Sequence, residues 1–224
     1  PFSMLFRGCS FLLMYEAGVF AALRELSPHR LKSASRMYGV SSGSVAAALA
    51  LCECDIGKGH ALLFVLKCYT KASCQFSPIS PKFLKVKILK ILKDVLNKYL
   101  PMNAHQLVSG KLRVILTRLR DWRSVVVSEF ASREDLVQAI MCSCFIPLYF
   151  GFLPPAYRGV RYVDGELSMW QANFVSPTTI TVSAFAGEFD ICPKDSPAAF
   201  FAFQLSDCVL QISKRNICRL QCIF

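Results

Sequence analysis

A chain of 224 residues is long enough to bury a sizeable core within one domain. With 54% hydrophobic and 18% charged residues it is too apolar to stay disordered, yet its sparse charge is lopsided, with 26 Lys and Arg against 15 Asp and Glu for a net +11. That excess calls for an anionic partner, and with no nucleic-acid motif or aromatic-basic stretch in the chain, a lipid surface is favoured and nucleic acid is not expected.

No uninterrupted apolar run reaches the roughly 18 residues of a spanning helix. No secretory leader is visible, and the chain starts at Pro1 without a Met. It reads as a single domain, residues 1–224, within a longer chain. Eleven cysteines are scattered along it. Cys52/Cys54 and Cys142/Cys144 are the tightest pairs, and their single spacer falls short of the two to four residues usual between zinc ligands. His29, His60 and His105 lie near neither pair in sequence. Reduced thiols in a cytoplasmic protein are expected, with no metal and no cofactor.

In chain order, Ser3 to Phe6 predicts a short strand, followed by Arg7-Gly8-Cys9-Ser10 and a helix from Phe11 to Leu26 closed by Pro28. Arg36 to Val40 predicts a second strand and Ser44 to Cys54 a helix. Ala61 to Tyr69 looks helical, and Ser77 to Pro81 is a loop. Phe83 to Leu100 predicts a long helix stopped by Pro101. Lys111 to Thr117 and Ser124 to Phe130 are β-branched runs and predict strands. Arg133 to Cys144 predicts a helix, with Ser132 and Asp135 at the spacing of a capping pair. Tyr157 to Val163 predicts a strand running into Asp164-Gly165, and Thr178 to Ala184 another. Ala198 to Phe224 reads as helical without a clear boundary. Alternating strands and helices imply an α/β sandwich on a mainly parallel sheet.

The stretch Gly39-Val40-Ser41-Ser42-Gly43 stands where a strand gives way to a helix. A Gly-x-Ser-x-Gly motif in that setting predicts a sharp turn that presents Ser41 as a nucleophile, with Gly39 and Gly43 allowing close passage of strand and helix. A glycine turn in which Ser42 or Ser44 caps the helix is the plainer alternative. A Ser-acid-His triad needs a histidine late in the chain, and the last one here is His105, so such a triad is not expected unless a longer chain supplies the histidine. A carboxylate can serve as base if geometry permits. Asp164, at the end of a predicted strand, is the candidate, with an ordinary Asp-Gly turn as the alternative. Backbone amides of Gly8, Cys9 and Ser10, between the first strand and a helix, could form an oxyanion hole.

The segment from Lys82 to Leu100 alternates lysines with aliphatic residues. It reads either as a basic amphipathic helix for an anionic interface or as a surface helix packed on the core. "YFGFLPPAY" reads as an apolar rim near the site or as a buried loop.

Four blocks, "FRGCSFLLMYEAG", "YGVSSGSVAAALAL", "CSCFIPLYFGFLPPAYRGVRYVDGE" and "TITVSAFAGEFDICPKDSP", resemble the patatin-like phospholipase domain family in its animal adiponutrin and adipose triglyceride lipase branch. The resemblance runs from about Met4 to Ile212. It implies a three-layer α/β/α sandwich and a Ser-Asp dyad of Ser41 and Asp164, with Gly8, Cys9 and Ser10 around the oxyanion. The activity it implies is that of a lipid acyl hydrolase or transacylase. The donor would be a long-chain acyl ester (triacylglycerol or phospholipid) and the acceptor water or an omega-hydroxyceramide. It further implies a peripheral place on lipid droplets or membranes and a protein co-activator as partner. The sequence departs from the family at Ser10, where a glycine is usual and a positive φ would be strained. It departs again at Glu166, which follows Asp164-Gly165 and puts a second carboxylate beside the base. "SMWQANFVSP" is a third departure. These departures define the alternative, a catalytically impaired lipid-surface binding protein that keeps the fold.

Overall fold

The computed structural model describes residues 2–54, 81–171, 178–195, 202–205 and 208–221. The segments predicted at Ala61 to Tyr69 and from Ser77 to Ser80 lie outside them. The described elements are β1 (Ser3–Phe6), a 3-10 turn (Ser10–Leu12), α1 (Leu13–Leu26), α2 (Pro28–Ser33), β2 (Arg36–Val40), α3 (Ser42–Leu51) and α4 (Pro81–Tyr99). They continue with α5 (Ala104–Val108), β3 (Leu112–Arg118), β4 (Ser124–Val127), α6 (Arg133–Ser143), β5 (Ala156–Tyr157) and β6 (Val160–Asp164). A second 3-10 turn (Gly165–Gln171), β7 (Thr179–Val182), β8 (Ala202–Leu205), β9 (Cys208–Gln211) and α7 (Lys214–Gln221) complete them.

The main sheet has seven strands. β3, β2, β1 and β7 are parallel neighbours, and β4 and β6 run antiparallel to β3. The expected α/β sandwich is therefore present, with an antiparallel margin. Alternation along the strands sorts the core onto two faces. Met4, Phe6, Met37, Leu112, Val114 and Leu116 pack with Phe20 of α1, Leu49 of α3 and Ile140 of α6 in the larger cluster. Leu5, Tyr38, Val40 and Ile115 point the other way, onto Met169 of the second 3-10 turn.

The registers of β3 place the site. β2 pairs with Leu112 to Ile115, β6 with Leu116 to Arg118, and β4 with Val114 to Thr117. Because β4 overlaps both ladders it must take the opposite edge of β3, so β2 and β6 share one edge end to end. Val40, the last residue of β2, stands opposite Ile115, and Asp164, the last of β6, stands opposite Leu116. Two strands with no ladder between them thus bring their C-terminal ends together.

Several boundaries differ from expectation. Pro28 opens a short helix as its N1 residue, a place that suits its missing N–H and fixed φ. Ser132 caps α6 by accepting the Asp135 N–H at 3.0 Å, as its spacing suggested. The helix predicted over Ala198 to Phe224 is corrected in part: among its described residues β8 and β9 form an antiparallel hairpin and Lys214–Gln221 is helical. The run Cys208-Val209-Leu210 is apolar without alternation, a pattern that fits a strand or a buried helix segment equally, and here it pairs with β8.

Along α4, Val95 and Leu96 are fully buried while Lys90 and Lys93 are exposed. This part of the helix lies on the core with its lysines in solvent. Among the described residues no helix is long and apolar enough to cross a membrane and no cluster of side chains could hold a metal ion.

Candidate active site

Ser41 occupies the turn between β2 and α3 at φ 52°, ψ −128°, a conformation that L-residues avoid and that a tight strand-to-helix elbow imposes. The flanking glycines make the elbow possible. A Cβ on Gly39 would lie 2.5 Å from Ser44 Cα, and one on Gly43 would lie 2.3 Å from the Phe6 carbonyl oxygen. The Ser41 side chain does not cap α3. Its hydroxyl instead donates to Asp164 Oδ2 at 2.6 Å. Among the described residues no imidazole bonds to either partner.

Asp164 is held on all sides. Its N–H donates to the Phe145 carbonyl at 2.7 Å, and its carbonyl accepts from the Thr117 hydroxyl at 2.7 Å. Its Oδ1 accepts the Glu166 N–H at 3.0 Å. Burial pushes the carboxyl up to about 7, opposed by the hydrogen bonds from Ser41 and the Glu166 amide and aided by the nearby Glu166 charge. A carboxylate with that affinity for protons is better suited to take a serine proton than an exposed one.

Ser10 and Cys9 also lie at the elbow. Ser10 has φ 49°, as its place in the family's glycine-rich turn suggested, at a cost of about 1–2 kcal/mol for a residue with a Cβ. The Cys9 N–H donates to Ser42 Oγ at 2.9 Å, and the Gly8 N–H to Glu166 Oε1 at 2.6 Å. Two of the three expected oxyanion donors therefore already have acceptors; no acceptor is assigned to the Ser10 N–H among the described residues. Glu166 is further clamped by Arg7, whose guanidinium donates to Oε2 at 2.8 Å.

Three participants carry no sequence signal of their own. Ser143 accepts the Ser41 N–H at 2.8 Å and donates to the Ile115 carbonyl at 2.8 Å. Ser42, which motif reasoning offers as a helix cap, holds Cys9 instead. Glu16 is fully buried beside the Cys9 thiol, and burial raises its carboxyl well above the usual range, opposed by that thiol.

An apolar cleft opens from Ser41 and Ser10 between the helices, walled by Leu13, Val45, Ile88, Ile91, Leu92 and Phe150. At its rim the loop after α6 leaves Leu148, Phe152 and Leu153 more than 70% exposed, while Phe150 turns inward.

Comparison with known proteins places this geometry in context. The family model described as patatin-like phospholipase matches residues 4–170. The chain is 43% identical over 220 residues to the human omega-hydroxyceramide transacylase, covering 98% of this chain and 41% of that protein. It is 40% identical over 215 residues to the mouse 1-acylglycerol-3-phosphate O-acyltransferase Pnpla3, covering 96% of this chain and 51% of that protein. It is 38% identical over 216 residues to the human patatin-like phospholipase domain-containing protein 2, covering 96% of this chain and 42% of that protein. The chain thus spans about half or less of the length of these relatives.

Proposed function

This chain belongs to the patatin-like phospholipase family, and on that premise we propose that it is a serine acyl hydrolase or transacylase of long-chain lipid esters. The observation that supports this most is the 2.6 Å hydrogen bond from the Ser41 hydroxyl to a buried carboxylate. Ser41 Oγ attacks the ester carbonyl carbon, its proton passes to Asp164, and the carbonyl electron pair moves onto oxygen. The intermediate then expels the alcohol, which takes the proton back from Asp164, and leaves an acyl-Ser41 ester. Water or a lipid alcohol, deprotonated by Asp164 in turn, resolves that ester. The apolar cleft beside Ser41 suits the acyl chain.

A phospholipid donor and an acceptor such as an omega-hydroxyceramide are supported by the relatives' names, and a triacylglycerol donor by the resemblance to the adipose triglyceride lipase branch alone. A peripheral place on a lipid droplet or membrane is supported by the net charge of +11 and by the bare Leu148, Phe152 and Leu153 at the cleft rim. A second reading, a lipid-surface binder without turnover, is favoured by the prior engagement of the Gly8 and Cys9 amides.

Labelling with an alkyl fluorophosphonate separates the two. An adduct on Ser41 that is lost in Ser41→Ala supports the enzyme, and a folded chain that takes no label supports the binder.

A further inference from the structure

Glu166 sits against the nucleophile. A Cβ on Gly8 would lie 2.8 Å from Glu166 Cγ and 3.0 Å from Ser41 Cβ, so Glu166, Gly8 and Ser41 form one contact stack that only a glycine at position 8 permits. Glu166 Oε1 takes the Gly8 N–H at 2.6 Å, and Oε2 takes the Arg7 guanidinium at 2.8 Å. A negatively charged oxygen on a backbone N–H beside the serine is what acylation itself creates in the tetrahedral intermediate.

We infer that the Glu166 carboxylate is a built-in occupant of the oxyanion site of Ser41 and must leave before Ser41 can be acylated. The inference rests on the reading of Ser41 as nucleophile. A single N–H cannot serve a resident carboxylate and an incoming oxyanion with full strength at once, and the charged acceptor is the stronger of the usual competitors. Departure needs only side-chain rotation, because the Glu166 N–H stays tied to Asp164 Oδ1 at 3.0 Å. The Glu166 side chain is 28% exposed against 8% for Arg7, so the carboxylate has a way out to solvent while the guanidinium stays. What it uncovers is the Gly8 amide and the Arg7 positive charge, a pair suited to the developing oxyanion. Glu166 thereby sets how much of the population is ready to react.

The test compares this chain with its Glu166→Gly and Glu166→Gln variants, with Ser41→Ala as the blank. The second-order rate of Ser41 phosphonylation by a small alkyl fluorophosphonate is measured for each. In that step the Oγ–P bond forms, the P–F bond breaks, fluoride leaves and the serine proton goes to Asp164. Since one oxyanion donor is worth about 100-fold or more, freeing Gly8 in Glu166→Gly is expected to raise the rate about tenfold or more. Glu166→Gln keeps the shape but offers one neutral acceptor oxygen to the two donors, so it holds the Gly8 N–H more weakly and a smaller rise of about threefold to fivefold is expected. For hydrolysis of p-nitrophenyl butyrate the gain is expected in kcat with KM little changed, a split that general loosening of the site would not produce. Variants that melt like the parent yet label at the parent rate, or slower, overturn the inference and leave Ser41 as nucleophile. If no form labels at all, the nucleophile reading falls and this inference with it.

Discussion

The Ser143 hydroxyl stands between Ser41 and the sheet, accepting the Ser41 N–H and donating to the Ile115 carbonyl, each at 2.8 Å. The last residue of α6 thus pins the strained turn to β3. Ser143→Ala leaves a buried N–H and a buried carbonyl without this partner, which costs about 1–3 kcal/mol. We expect a lower melting temperature, read by circular dichroism. Ester hydrolysis should also fall at least tenfold through kcat, since the Ser41 hydroxyl loses its fixed position.

Asp164 predicts the pH dependence. Its carboxyl is raised from 3.8 to about 7, chiefly by burial, and only the ionised form can accept the Ser41 proton. The rate is expected to climb with pH and level off above a midpoint near 7, measured as kcat/KM on a soluble ester. Stability runs the other way. A carboxyl whose folded-state affinity for protons is raised contributes stability below about 3.8 that is lost as pH rises through about 7. Asp164→Asn should remove both effects and lower activity by about 100-fold to 10,000-fold. A rate profile for the parent that is flat from pH 5 to 9 would count against Asp164 as base.

Two glycines give opposite expectations for the same substitution. Gly43→Ala drives a methyl to within 2.3 Å of the Phe6 carbonyl oxygen and is expected to destabilise by about 1–3 kcal/mol while abolishing Ser41 labelling. Gly18, exposed in the middle of α1, has nothing within 4 Å of its would-be Cβ, so Gly18→Ala should stabilise by about 0.5–1 kcal/mol without touching activity. Chemical denaturation of the two variants side by side checks both signs.

The cleft-rim loop predicts lipid contact. Replacing Leu148, Phe152 and Leu153 together with serine should reduce co-sedimentation with phosphatidylserine-containing vesicles by about tenfold, given about 1.5–3 kcal/mol for full burial of each such side chain and only partial insertion. Hydrolysis of a water-soluble ester should be unchanged, because none of the three lines the cleft.

Much of this was open to reading without coordinates. Short apolar strands at Ser3–Phe6 and Arg36–Val40, the glycine spacing around Ser41, and an aspartate closing a strand all point to the proposed dyad, because each is a local pattern with a local cause. The roles of Ser143, Ser42 and Arg7 had no such trace. Ser143 is 102 residues from Ser41, and a buried serine in a helix looks the same in sequence whether it packs or holds a turn. Glu166 was visible as a second carboxylate, but its destination on Gly8 lies 158 positions away in sequence. The C-terminal misreading has a different source. Short apolar stretches fit a helix or a hairpin equally until a partner strand is known, and there the partner was β9 rather than a helix neighbour.

The shared edge of β3 has a consequence for how the reactive pair comes into being. Ser41 follows β2 and Asp164 ends β6, two strands that share no ladder with each other, so their meeting depends on both docking on β3. A half-assembled chain, with either strand still loose, lacks the Ser41–Asp164 hydrogen bond on which the proposed chemistry depends. Under the proposed mechanism, Ser41 reactivity would report that both strands have docked on β3.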